Sequence, residues 1–260
     1  MSFSPVLPTT GISGWLFLNR TLDAQTLAFN TSANNQRDIN YFQKELPKIT
    51  SIEELVDNHR LLRVALGSVG LSADIKNKAF IKKVIASDLQ DPKSLANRLS
   101  DMRYKRLASA FGALGAKQPI NSQSIDQAAD KYLRLSFEAA LGKKDNTMRL
   151  ALYAKRELAE LALEKSSDRT KFYKILGSPQ LRELFETYLR LPKGFARLDL
   201  EKQVEVFQSK IDSRFGFASI SKFSEIKNQN KLIEGYLFQS ELNTGAAMTS
   251  QDISLMLLRS

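Results

Sequence analysis

The sequence predicts an all-α protein of stacked helical hairpins with an N-terminal helical arm and two halves that share a repeated string. Three observations predict it. Apolar residues recur three and four positions apart, and no convincing strand-like alternation is found. Helix start and stop signals are written out: Ser51 stands three residues before Glu54, Asp91 precedes Pro92, and glycines follow apolar runs. Met148 to Lys165 consists almost entirely of strong helix formers.

The first ten residues, rich in Pro, Thr and Ser, read as a disordered lead. From Ile12 to Phe29, Ile12, Trp15, Leu16, Leu18, Leu22 and Leu27 fall mostly on one helical face. Asn30 to Gln36 is polar and reads as a flexible break, and helix resumes over Arg37 to Leu46. The Ser51–Glu54 capping box opens a helix expected to run from Ile52 to Leu66, with Gly67 and Gly70 as its exit. A helix over Ala73 to Ala86 should bury Ile75, Ala79, Phe80 and Val84. Asp91 and Pro92 open the next, and the chain continues helically to Gly112. Gly112 to Gln123 is the weakest interior stretch and the best boundary. Helices then follow from Ser124 to Leu141, Met148 to Lys165, Asp168 to Leu176, Pro179 to Leu189, Leu200 to Arg214 and Ile220 to Phe238. A last short helix is expected in the tail, capped by Thr249 or Ser250. The organisation expected is an arm over 1–35, a first helical unit over 36–116 and a second over 117–260, forming one continuous body.

The string Leu-Gly-Ser occurs at Leu66-Gly67-Ser68 and again at Leu176-Gly177-Ser178, each time with a leucine three residues after the serine. Each copy leads to a helix, a proline-containing loop and a further helix ending in Phe-Gly, at Phe111-Gly112 and Phe215-Gly216. Two readings stand. The halves descend from a duplicated hairpin unit, or helix-stop and helix-start chemistry has simply recurred. Two copies do not make a solenoid.

Composition removes several function classes. There are no cysteines, which excludes disulfides, thiolate metal sites and cysteine nucleophiles. His59 is the only histidine, so no usual zinc site or histidine cluster is available. No cofactor is expected: Gly67 and Gly70 lack the Lys-Ser/Thr and preceding strand of a phosphate loop. No stretch reaches the ~20 apolar residues that span a bilayer, and no cleavable signal is visible. The expectation is a soluble protein made in the cytoplasm, or one that leaves it by a route without a cleaved signal peptide, with no membrane insertion.

The formal net charge is +10, which raises the question of acidic partners. Arg98, Arg103, Lys105 and Arg106 form a candidate basic patch, against the alternative of a solvated helix face. No RNP-type aromatic pattern or heptad-plus-basic region accompanies the charge, so nucleic acid is the rival partner rather than the first. Trp15, Leu16 and Leu22 are candidate anchors for a protein partner or a second copy, unless Trp15 packs back on its own body. Arg60 and Arg63 are expected to pair with Asp57 on the helix surface.

Several strings carry a family resemblance. They are Gly14-Trp15, the pairs Arg37-Asp38 and Tyr41-Phe42, LLRVALG at 61–67 and NKAFIKKV at 77–84. DPKSLANRLSDMRYKRLASAFG at 91–112 continues them, and ILGSPQLRELFETYLRLP with LDLEKQVEVF matches further on. In these the chain resembles an alphaproteobacterial domain-of-unknown-function family, many of whose members are encoded among flagellar genes and named flagellar proteins. The resemblance covers most of the chain and implies no catalytic position. The expected function is therefore a non-enzymatic protein–protein or structural role associated with flagellar assembly; the alternative is a basic nucleic-acid-binding or regulatory helical protein.

Overall fold

The computed structural model describes residues 3–244. Of these, 77% are helical and none forms a strand; thirteen α-helices are separated by loops and five short 3-10 turns. The tail helix expected after Thr249 lies outside the described residues. The chain groups into two compact units. One comprises the residues up to Pro5 with Leu22–Ala140, the other Val6–Thr21 with the residues from Leu141 on.

Helix α1 spans Gly11–Asn30 and buries Ile12, Trp15, Leu18 and Phe29. Phe3, in the lead expected to be disordered, meets Phe29 edge to face at 6.4 Å. Helix α2, Ala33–Glu45, begins well before Arg37. The polar stretch expected as a flexible break is a two-residue link whose neighbours cap α1. Thr31 Oγ1 donates to the Leu27 carbonyl at 2.8 Å, Asn35 Nδ2 to Phe29 at 2.8 Å and Gln36 Nε2 to Asn30 at 2.9 Å. These are carbonyls that a helix end leaves unsatisfied, and Asn, Gln and Thr side chains can reach them.

In the first unit the Ser51 cap forms as expected: Ser51 Oγ accepts from the Glu54 amide at 3.3 Å, and Glu54 reaches back to the Thr50 amide at 3.1 Å. The helix it opens, α3, stops at Ile52–Asp57, and α4 spans His59–Gly67. The single helix expected over 52–66 is thus broken at Asn58. Its backbone leaves the helical region, and its side chain caps α4 by accepting from the Arg60 and Leu61 amides. Asparagine supplies its own alternative to the helix ladder, which is why the break falls there. Gly70, at φ +79°, closes the exit, and Leu71 donates back to the Leu66 carbonyl at 2.8 Å.

Helix α5 is Lys78–Ile85 and buries Ile81, Val84 and Ile85; Ala79, expected inside, is exposed. A 3-10 turn over Ser72–Lys76 takes the place of its expected first turns. Asp91 does not open a helix but makes a local turn to the Lys93 amide, and α6 is only Leu95–Arg98. Helix α7 is Met102–Phe111, with Asp101 as its cap. Helix α8, Ser122–Gly142, starts from Asn121, whose Oδ1 accepts from the Ser124 amide at 2.8 Å. The loop before α8 does not divide the chain. Ile120, Ile125, Ala128 and Ala129 join the buried cluster built by α2 to α7, so this part of the chain belongs with the first unit.

The second unit contains α9 (Asn146–Leu163), α10 (Asp168–Gly177), α11 (Pro179–Leu189), α12 (Leu200–Phe215) and α13 (Ile226–Thr244). Helix α13 begins later than expected because Ile220–Ser224 forms a 3-10 turn. Phe207 lies amid Phe185, Phe172 and Phe195, at centroid distances of 5.1, 6.0 and 6.2 Å. Lys171 is only 2% exposed. Its ammonium donates to the Ala162 carbonyl at 2.9 Å and to Ser221 Oγ at 2.7 Å, so it is buried with partners. Both Leu-Gly-Ser strings close a helix, α4 at Gly67 and α10 at Gly177, and the serine of the second also opens the next helix. Ser68 donates to the Ala65 carbonyl at 2.7 Å and ends α4, whereas Ser178 accepts from the Leu181 amide and begins α11.

Burial gives this unit an alkaline limit. It pushes the Tyr236 phenol up to about 12, from an ordinary value near 10. The fold then favours the protonated phenol, so this stabilisation is complete below about pH 10 and disappears as pH rises through the folded value. Thermal melting should show stability falling between about pH 10 and 12, and Tyr236→Phe should remove about 2–3 kcal/mol of that fall. An alkaline profile unchanged in Tyr236→Phe would contradict this.

Candidate functional site

The sequence-predicted anchors do not form one exposed patch. Trp15 is fully buried, with Lys155 Nζ 5.9 Å from its ring centroid and Asn19 accepting from that ammonium at 2.9 Å. Leu16 and Leu22 are half-buried. His59 is exposed at the first position of α4.

The predicted basic patch divides between α6, which carries Arg98, and α7, which carries Arg103, Lys105 and Arg106. Arg103 is engaged on both sides: its guanidinium grips Asp101, with a shortest contact of 2.7 Å, and donates to the Gly70 carbonyl at 2.7 Å. That guanidinium holds the Asp101 carboxyl below the usual carboxylate range. Much of Arg103's charge is therefore answered locally.

A different basic group comes together in the first unit. Asn34, Arg37 and Asp38 from α2 and Arg60 and Arg63 from α4 line a surface cleft of about 380 Å³. The break at Asn58 helps arrange it. Asn58 Nδ2 donates to the Tyr41 hydroxyl at 2.9 Å, and the Arg60 guanidinium lies 4.0 Å from the Tyr41 ring centroid. Arg60 also donates to the Arg37 carbonyl at 3.0 Å. Arg37 is held on its own helix by Asn34 Oδ1 and the Ala33 carbonyl.

Asp38 is the one carboxylate lining this cleft, and its side chain is 15% exposed. It accepts from Arg63, lies 3.8 Å from Arg60 and accepts from the Tyr132 hydroxyl at 3.5 Å. Tyr132 reaches it because its ring lies against Gly67, where an added Cβ would sit 2.5 Å from the ring. Burial pushes the Tyr132 phenol above its ordinary value, with Asp38 adding to the shift. Arg63 Nε is buried without a hydrogen-bond partner.

The expected pairing of Arg60 and Arg63 with Asp57 is corrected here: they face Asp38 of α2, and Asp57 meets Lys78 at 3.6 Å. Arg37-Asp38 was legible as a string but not as half of a cleft, because α4 supplies the rest. Three guanidiniums against one carboxylate leave an excess of positive charge, in forks that suit planar oxyanions. Among the described residues no group of three or more His, Cys, Asp or Glu could hold a metal ion. No described helix is long and apolar enough to cross a membrane.

Comparison with known proteins gives a family and a fold. A family model described as a protein of unknown function, DUF1217, matches residues 68–232. The cleft residues precede that span. No curated protein matches the chain. An X-ray crystal structure of an Agrobacterium tumefaciens protein is similar, with a TM-score of 0.70 and 22% sequence identity, covering 92% of this chain and 99% of that one. At that identity the likeness speaks for the fold alone.

Proposed function

The chain belongs to the DUF1217 family of proteins of unknown function, and from that premise we propose that it is a non-enzymatic interaction protein associated with flagellar assembly. The observation that carries the interaction role is the arginine cleft. Guanidiniums stay charged at any physiological pH, so they recognise oxyanions rather than exchange protons. Here their supports are already in place: the Tyr41 ring and the Arg37 carbonyl hold Arg60, and Asp38 holds Arg63. Such preorganisation reduces the ordering cost of binding. The flagellar assignment rests on the resemblance carried by Arg37-Asp38, LLRVALG and the strings after them.

Deleting the gene should impair motility, and a tagged, complementing copy should locate with the flagellar apparatus. A deletion strain that swims normally, with the tagged protein spread evenly through the cell, would reject the assignment.

A further inference from the structure

We propose that the α2–α4 cleft is a socket for the carboxylates of an acidic segment on a partner protein. This rests on the interaction role proposed above and names the chemistry of the partner. The cleft's three arginines are only partly answered from within. Asp38 accepts from Arg63 and lies 3.8 Å from Arg60, while Arg37 is bonded to the neutral groups of Asn34 and Ala33. Arg60 and Arg63 keep 44% and 40% of their side-chain surface exposed, so their outer edges remain open to an incoming group. A carboxylate entering there would complete charge-assisted, fork-shaped hydrogen bonds, the strong kind.

Size and surroundings favour acidic side chains over a nucleic-acid backbone. About 380 Å³ lies near the small end of ligand-sized clefts and has room for one or two carboxylates. Beyond it, three further basic residues of the same unit are answered by acids: Lys78 meets Asp57, Lys82 meets Glu53 and Arg103 meets Asp101. Duplex nucleic acid presents a charge about every 1.7 Å of its axis and rewards a continuous basic tract. Here three guanidiniums converge on one recess of limited size instead. Asp38 also gives the site a testable sign. It competes with the incoming carboxylate, so neutralising it should strengthen binding.

The test uses the full chain and a fluorescein-labelled glutamate homopeptide, read by fluorescence anisotropy at about 50 and 150 mM salt. Binding is expected at the lower salt and should be weaker at the higher. Arg60→Gln with Arg63→Gln should weaken it at least about tenfold, Asp38→Asn should tighten it, and Arg103→Gln, outside the cleft, should leave it unchanged. Circular dichroism checks each variant's fold. If the double variant does not fold, Arg37→Gln carries the test and should also weaken binding. Equal peptide binding by the cleft variants would overturn the proposal. So would inorganic phosphate or a thymidine oligonucleotide displacing the peptide more strongly than unlabelled peptide at equal charge.

The in-cell arm separates the two readings. The double-variant gene should fail to restore motility to a deletion strain that the natural gene restores. If it restores motility fully, the socket is rejected while the flagellar role stands. If deletion leaves motility intact but the variants behave as expected in anisotropy, the socket stands and the flagellar role is rejected.

Discussion

Removing residues 1–35 should abolish the cooperative unfolding transition of this protein. The deletion takes away Ile12, Trp15, Leu18 and Phe29, exposed by 2%, 0%, 0% and 7%. In the second unit Trp15 lies beside Lys155, and in the first Phe29 packs edge to face on Phe137 at 5.5 Å. Burying each large apolar side chain is worth roughly 1.5–3 kcal/mol. Four of them approach the ~5–15 kcal/mol that separates a folded domain from its unfolded chain. The truncated chain should therefore show a broad or absent thermal transition by circular dichroism and bind a hydrophobic dye. A sharp transition at the full-length temperature would show that α1 is a dispensable arm after all.

Phe207→Ala should have the second largest effect, a loss of about 3–5 kcal/mol. Phe207 is fully buried, and its ring is 5.1 Å from Phe185 and 6.0 Å from Phe172. Those neighbours come from α11 and α10, and Phe195 lies on the connection before α12. The hole left by truncation is therefore walled by several separately anchored rings, and they cannot all move to fill it. Denaturant unfolding should show a lower midpoint, with Phe207→Leu recovering part of the loss. A Phe207→Ala midpoint within error of the natural chain would show that the cluster collapses freely.

Much of this fold was legible because its causes are local. Ser51 and Glu54 sit within one helical turn of the amide groups they bind, so spacing alone identifies the cap. The same holds for α11, predicted and found at Pro179–Leu189. Legibility failed where a local alternative competed with the helix. Asn58 can cap as well as continue, and apolar periodicity runs across it without a mark. That one residue also decided the candidate site. In an unbroken helix Asp57, Arg60 and Arg63 would share a face. With the break, Asp57 meets Lys78 and both arginines face Asp38.

By itself, then, the sequence determined the all-helical class, most helix spans and the absence of cysteine chemistry. These follow from the period of apolar residues, the reach of capping side chains and composition, all of which act within a few residues or need no structure. Only the tertiary structure decided that Trp15 is a core residue and that Arg37, Arg60 and Arg63 share a cleft with Asp38. Arg63 and Asp38 are 25 residues apart in the chain, and Tyr132 is 94 from Asp38. Contacts at such separations depend on the direction the chain takes after every intervening turn, and a change at one residue such as Asn58 redirects all that follow.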